Sequence, residues 1–194
     1  MKVVKTLHSD KTDEWLMESI SAGDTASFNE LYERYHKKIT WYFYRMLGQN
    51  QELSEDCMQD LFMKIIERPE LFDPSRKFST WIFSVANNRC KNEYRKLEIR
   101  VEKAHLLKED DYTEAHFDQV LDNGTFKKHL FDELGELGEN QRSSFLLRHK
   151  YGFSIKQISE ILECSEGTIK SRLFYITKKL SKKLNVYNPN TQTL

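Results

Sequence analysis

The side chains with the most definite chemistry lie in residues 151–172 and just beyond: Gly167, Thr168, Lys170, Ser171, Arg172 and Tyr175. Hydroxyls, a phenol and two cations can hydrogen-bond base edges and phosphate oxygens, and a glycine lets a phosphate approach backbone N–H groups; together they bind nucleic acid and break no bonds. Their spacing supports this. Ser154 with Gln157 three residues on is a capping-box pair, and Ile155, Ile158, Ile161 and Leu162 follow at helical intervals, ending near Cys164. Ser165 is a second N-cap, after which Ile169, Leu173 and Ile176 form the buried stripe of a second helix. At about 100° per residue the opposite face holds Gly167, Thr168, Ser171, Tyr175 and Lys178, with Lys170 and Arg172 on its shoulders. Gly167 costs a helix interior about 1 kcal/mol against alanine, so access to the backbone is its use there. Two short helices with a tight break make a helix-turn-helix, whose second helix enters a DNA major groove. Periodicity alone would fit any amphipathic hairpin, and charge separates the two readings.

Basic and acidic residues balance, 30 against 30, but unevenly. Residues 1–96 hold 15 basic and 15 acidic side chains, residues 97–139 hold 5 and 12, and residues 140–194 hold 10 and 3. An excess of seven cations therefore surrounds the reading helix, as phosphate neutralisation requires.

A second basic stretch covers residues 76–96, with six cations against one anion and aromatics between them. Trp81, Ser84, Asn88, Lys91 and Arg95 step by three and four and share one helical arc. Aromatic faces, amides and cations suit unpaired bases and their phosphates. The same aromatics at helical spacing would equally serve a core.

The elements that must position these residues read as helices throughout. Apolar residues recur at three and four rather than by two, and three prolines and seven glycines leave little room for sheet. The expectation is an all-α chain of two small domains. Residues 1–12 read as a loose leader, residues 13–96 as a helical domain, 97–124 as an acidic linker, 125–184 as the helix-turn-helix domain, and 185–194 as a disordered tail. Within the first domain a short helix ends at Gly23. Asp24 caps a long one reaching Gly48, a third starts near Ser54, and a fourth starts at Phe78.

Several classes are excluded by what is missing. There is no P-loop, nucleophile elbow, dinucleotide turn or metal-ligand spacing, so neither an enzyme nor a cofactor is expected. Cys57, Cys90 and Cys164 are odd in number and far apart, and read as buried thiols. No secretion signal or run of about 18 apolar residues is present, which points to a cytoplasmic protein with no membrane insertion.

Residues 54–66 (Ser-Glu-Asp-Cys-Met-Gln-Asp-Leu-Phe-Met-Lys-Ile-Ile), the helix over residues 78–96 and the hairpin over residues 151–172, in that order, resemble a bacterial RNA polymerase sigma factor of the small extracytoplasmic-function (ECF, group IV) class. The resemblance spans residues 13–96 and 125–184. It implies a domain reading the minus-ten promoter element and a domain reading duplex minus-thirty-five DNA. It places Asp56, Gln59 and Asp60 against the clamp helices of the largest subunit of core RNA polymerase. Trp81, Asn88, Lys91, Asn92, Arg95 and Lys96 fall on the segment that melts the minus-ten element and captures an extruded base. Position 92 is often Asp in this class and is Asn here, which bears on base preference. It further implies promoter DNA as ligand and an anti-sigma factor as partner. An acidic linker would thread the basic RNA-exit path or keep the two DNA-binding domains off each other's ligands. The competing reading is a free-standing helix-turn-helix regulator that binds operator DNA without polymerase.

Overall fold

The computed structural model describes residues 8–107 and 124–187. Those residues form eight α-helices and two single 3₁₀ turns, with no strand among them, and they fall into two units. The first holds α1 (Asp13–Ser21), α2 (Thr25–Met46), α3 (Gln51–Glu67), a 3₁₀ turn (Pro69–Leu71) and α4 (Phe78–Leu107); the second holds α5 (Gly124–Gly135), α6 (Glu139–His149), α7 (Ile155–Leu162), α8 (Glu166–Lys183) and a 3₁₀ turn (Asn185–Tyr187).

Helix starts in the first unit are set by oxygen side chains that satisfy free N–H groups. Thr12 Oγ1 accepts from Trp15 N at 3.2 Å, Asp24 Oδ1 from Ala26 N at 3.0 Å, and Asn50 Oδ1 from Leu53 N at 2.9 Å. The Asn50 cap moves the start of α3 ahead of the expected Ser54. Ser54 is fully buried one turn in, its hydroxyl returned to Asn50 O, and Glu55 and Asp56 sit in the second turn. At α4 the cap comes from far away: Glu14 Oε1 on α1 accepts from Phe78 N at 3.1 Å.

The core of this unit is built where α2 meets α3 and α4. Leu31, Ile39, Phe43, Ile65, Phe78 and Ile82 are completely or almost completely buried, and Tyr42 meets Phe83 edge to face at 5.5 Å. The Tyr42 hydroxyl, buried with them, donates to Asn87 Oδ1 at 3.1 Å, so the polar atom enters the core with a partner.

Three segments expected to be loose are ordered in part. Of the leader, His8–Lys11 form a turn held by Arg34, whose guanidinium donates to the carbonyls of His8, Ser9 and Lys11 and pairs with Asp13 at 2.7 Å and the buried Glu30 at 2.6 Å. A periodicity argument cannot foresee one arginine gathering this many oxygens. The rest of the leader lies outside the described residues. Of residues 97–124, α4 carries the chain on to Leu107 and α5 begins at Gly124; residues 108–123 lie outside the described residues. Over residues 95–100 this helix has no buried face, all six being exposed, which is why apolar periodicity fades there. Of the tail, Asn185–Tyr187 form a turn with the Tyr187 ring 5.4 Å from Phe126, and residues after Tyr187 are not described.

In the second unit, Arg142 ties α6 to the end of α5 by donating to the carbonyls of Leu134 (3.0 Å), Gly135 (2.5 Å) and Leu137 (3.0 Å). Leu147, Ile158, Ile161, Ile169 and Ile176 close the core shared by α6, α7 and α8.

Arg34→Ala leaves Glu30 buried without its cation and frees the leader turn, with an expected loss of about 2 to 3 kcal/mol in urea unfolding. Asp24 is held below the ordinary carboxylate range by the Ser27 hydroxyl, with Ala26 N–H and His8 assisting. A depressed carboxylate contributes stability above its unfolded value that disappears as pH falls through the folded one, so Asp24→Asn flattens the acid limb of a stability–pH curve below about pH 4.

Candidate nucleic-acid interface

The helix-turn-helix is built by the capping residues singled out above. Ser154 Oγ accepts from Gln157 N at 3.2 Å while Gln157 Oε1 accepts from Ser154 N at 3.0 Å, and Ser165 Oγ accepts from Thr168 N at 3.1 Å. Between them Glu163 takes the left-handed conformation with φ of 54°, which makes the break tight enough for α8 to start three residues later. In the buried stripe, Ile169 and Ile176 are enclosed and Leu173 is only half-buried.

Opposite that stripe, Gly167, Lys170, Ser171 and Tyr175 are exposed, and Thr168 and Arg172 are half-buried. A Cβ at Gly167 would meet only Ser165 Oγ, at 3.7 Å, so no packing demand puts glycine there. Thr168 Oγ1 lies 2.9 Å from Ser165 Oγ and belongs to the cap as much as to the face. Arg172 Nη1 points to Cys164 Sγ at 3.8 Å, and Lys170 Nζ stands 4.0 Å from Glu166. Cys164 is half-exposed here, whereas Cys57 and Cys90 are buried. Sequence reasoning missed Phe174: it is 63% exposed, as is Tyr175, and the two rings meet edge to face at 5.4 Å. The signal was available, since Phe174 stands three residues after Ser171 and seven after Gly167.

In the first unit, the arc of α4 divides along its length. Trp81 is half-buried, packed against Phe72 at 5.4 Å and Phe78 at 5.6 Å, so its ring serves the core on one side and is open on the other. Farther on, Asn88, Asn92, Arg95 and Lys96 are exposed and Lys91 is half-buried; Lys96 also pairs with Glu93 at 2.8 Å. Asn88 and Asn92 border an open groove of 180 Å³ between α3 and α4, with Lys64, Asp60, Cys57 and Arg89 on the other sides. Burial pushes the Cys57 thiol up, so it stays protonated beside Arg89. On the outer face of α3, Asp56 and Gln59 are exposed, together with two residues not foreseen, Met63 at 50% and Ile66 at 47%. Asp60, grouped with Asp56 by sequence, instead reaches across to Arg89 at 2.8 Å.

Among the described residues there is no group of three metal-ligating side chains, and no helix is long and apolar enough to cross a membrane. The Sigma-70 region 2 family matches residues 31–99, which hold α3 and the groove, and the Sigma-70 region 4 family matches residues 130–180, which hold the hairpin. The chain is a sigma factor of the ECF class. It is 28% identical over 182 residues to the ECF RNA polymerase sigma-E factor of Haemophilus influenzae, a match covering 89% of this chain and 95% of that one. It is 25% identical to the ECF sigma factor SigW of Bacillus subtilis, covering 87% and 94%. Among solved structures, CnrH in complex with the cytosolic domain of CnrY superposes with a TM-score of 0.65 at 22% identity, covering 91% of this chain and 99% of that one. RpoE of Bartonella quintana in complex with the anti-sigma factor NepR gives 0.66 at 22%, covering 82% and 97%. These two likenesses concern the fold. Sigma factors direct transcription initiation and are not enzymes, and the two family regions favour that reading over a free-standing operator-binding regulator.

Ser165→Ala removes the cap that starts α8 and is expected to cost the second unit about 1 kcal/mol, read as a lowered denaturation midpoint.

Proposed function

We propose that this sigma factor divides promoter recognition between its two units. The first grips core RNA polymerase with α3 and takes the melted minus-ten strand on α4. The second reads duplex minus-thirty-five DNA with α8. The observation that carries the reading is the pair Asn88 and Asn92, exposed one turn apart on the rim of the α3–α4 groove, with Arg95 and Lys96 continuing the exposed surface. Amides there can bond the edges of an unstacked base, and the cations can hold the phosphates on either side of it. Asp56 and Gln59, with Met63 and Ile66 beside them, offer the clamp helices a mixed acidic and apolar strip. Trp81 supports α4 from the core and presents only part of its ring.

On α8, Lys170 and Arg172 contact phosphates, Ser171 and Tyr175 reach base edges, and Gly167 with Thr168 brings the helix N-terminus against the backbone. Phe174 adds an apolar contact suited to a thymine methyl or a sugar. An anti-sigma factor is the regulatory partner, and the protein works in the cytoplasm. Support comes from the ECF relatives and from solved neighbours whose complexes contain CnrY or NepR. Core polymerase, promoter DNA and an anti-sigma factor are the ligands this assignment requires.

Holoenzyme made with Asn88→Ala opens a cognate promoter about tenfold less, the loss of roughly one good hydrogen bond, when opening is read by permanganate reactivity of minus-ten thymines. Arg172→Ala instead weakens binding to a minus-thirty-five duplex and lowers the salt slope by about 0.9, one phosphate contact. Equal opening by wild type and the Asn88 variant would remove the strand-capture assignment.

A further inference from the structure

One side chain links the two surfaces of the first unit. Arg89 donates Nη2 to Asp60 Oδ2 at 2.8 Å, lies 3.3 Å from Glu93 Oε1 through the same nitrogen, and directs Nε to Cys57 Sγ at 3.5 Å. Its two carboxylates are unequal. Glu93 is one turn along the same helix, 12% exposed, and also held by Lys96; Asp60 is on the neighbouring helix and 55% exposed. A cationic surface approaching α3 from outside therefore reaches Asp60 and not Glu93. The guanidinium borders the groove that Asn88 and Asn92 line, with Lys64 on the same groove. While Asp60 holds Nη2, much of the field that would attract a phosphate into that groove is neutralised.

We infer that Asp60 and Arg89 form an exchangeable ion pair that couples polymerase docking to single-strand binding: a basic polymerase surface that takes Asp60 releases one edge of Arg89, which then holds a phosphate of the strand lying over Asn88 and Asn92. The inference rests on the assignment of α3 to polymerase and α4 to the strand. Arg89 contacts DNA; Asp60 acts by occupying Arg89. A part-exposed ion pair is weak enough to be exchanged for a better one, and an arginine–phosphate bond is such a partner. Glu93 remains throughout and keeps the freed guanidinium at the groove rather than in solvent.

The test is a mutant cycle in the full chain without polymerase: wild type, Asp60→Asn, Arg89→Gln and the double variant, each titrated with a labelled mixed-sequence single-stranded DNA across a range of salt. Helix content by circular dichroism confirms folding. Asp60→Asn is expected to bind about fivefold more tightly, with a salt slope steeper by about 0.7, one added phosphate contact on a single strand. The double variant is expected to bind no better than Arg89→Gln alone. In an Arg89→Lys background, which keeps the charge, Asp60→Asn still tightens binding. Unchanged affinity for Asp60→Asn overturns the coupling. So does a gain that persists in the Arg89→Gln background, which would reflect general loss of negative charge, and so does a lack of strand binding by all the proteins. A wild-type chain that initiates transcription while the cycle shows no coupling leaves the promoter-recognition assignment standing; failure of initiation removes that assignment itself.

Discussion

The first unit depends on how α4 is seated. Phe78, Ile82, Phe83, Ala86 and Cys90 run down one side of this helix and are buried, and that stripe fixes its rotation about its own axis. Once the stripe is in place, Asn88 and Asn92 must face the groove toward α3, and Arg95 and Lys96 must face solvent. Two polar links make the seating specific. Asn87 reaches Tyr42 inside the core, and Glu14 closes the N-terminus of α4 from α1. A greasy interface alone would tolerate rotation; a buried amide with one phenol partner tolerates far less. Recognition by exposed residues is thus a consequence of what the buried residues next to them require.

The same logic governs the second unit with different means. There the decisive elements are local: a capping box at Ser154, a left-handed residue at Glu163 and a serine cap at Ser165. These define where α7 stops and α8 starts, and Ile169 and Ile176 then set which side of α8 is presented. Because these signals lie within a few residues of their effects, both serine caps of this hairpin were legible from sequence, although α7 ends at Leu162 rather than near Cys164. Even so, angular arithmetic taken less far than it should have been left out Phe174.

Legibility fell where structure depends on partners distant in sequence. The all-α class and the long α2 follow from periodicity and caps, and both are present. The start of α3 was misplaced because Asn50 competes with Ser54 as a cap, and Ser54 turned out to be a small buried residue under the helix. The clasp of Arg34 on the leader, the Glu14 cap and the Arg89 link to Asp60 join residues 21 to 64 positions apart. No periodic pattern encodes such pairings. Asp60 is a case in point: sequence groups it with Asp56, and only the structure shows that its part-exposed carboxylate also pairs with Arg89 on the neighbouring helix. Trp81 likewise has a second task that sequence did not separate from the first: its half-buried ring packs against Phe72 and Phe78.

The proposed division, in which one unit takes an opened strand and the other reads duplex, accounts for promoter recognition if both act from a single polymerase. The most direct measurement is transcription from a fragmented genomic library by core RNA polymerase of the source organism, with and without this protein, with RNA start sites mapped. The account predicts new start sites that share two upstream motifs at a fixed separation, one for each unit. A preparation in which core enzyme responds to a control sigma factor, yet gains no start sites from this chain, would contradict it.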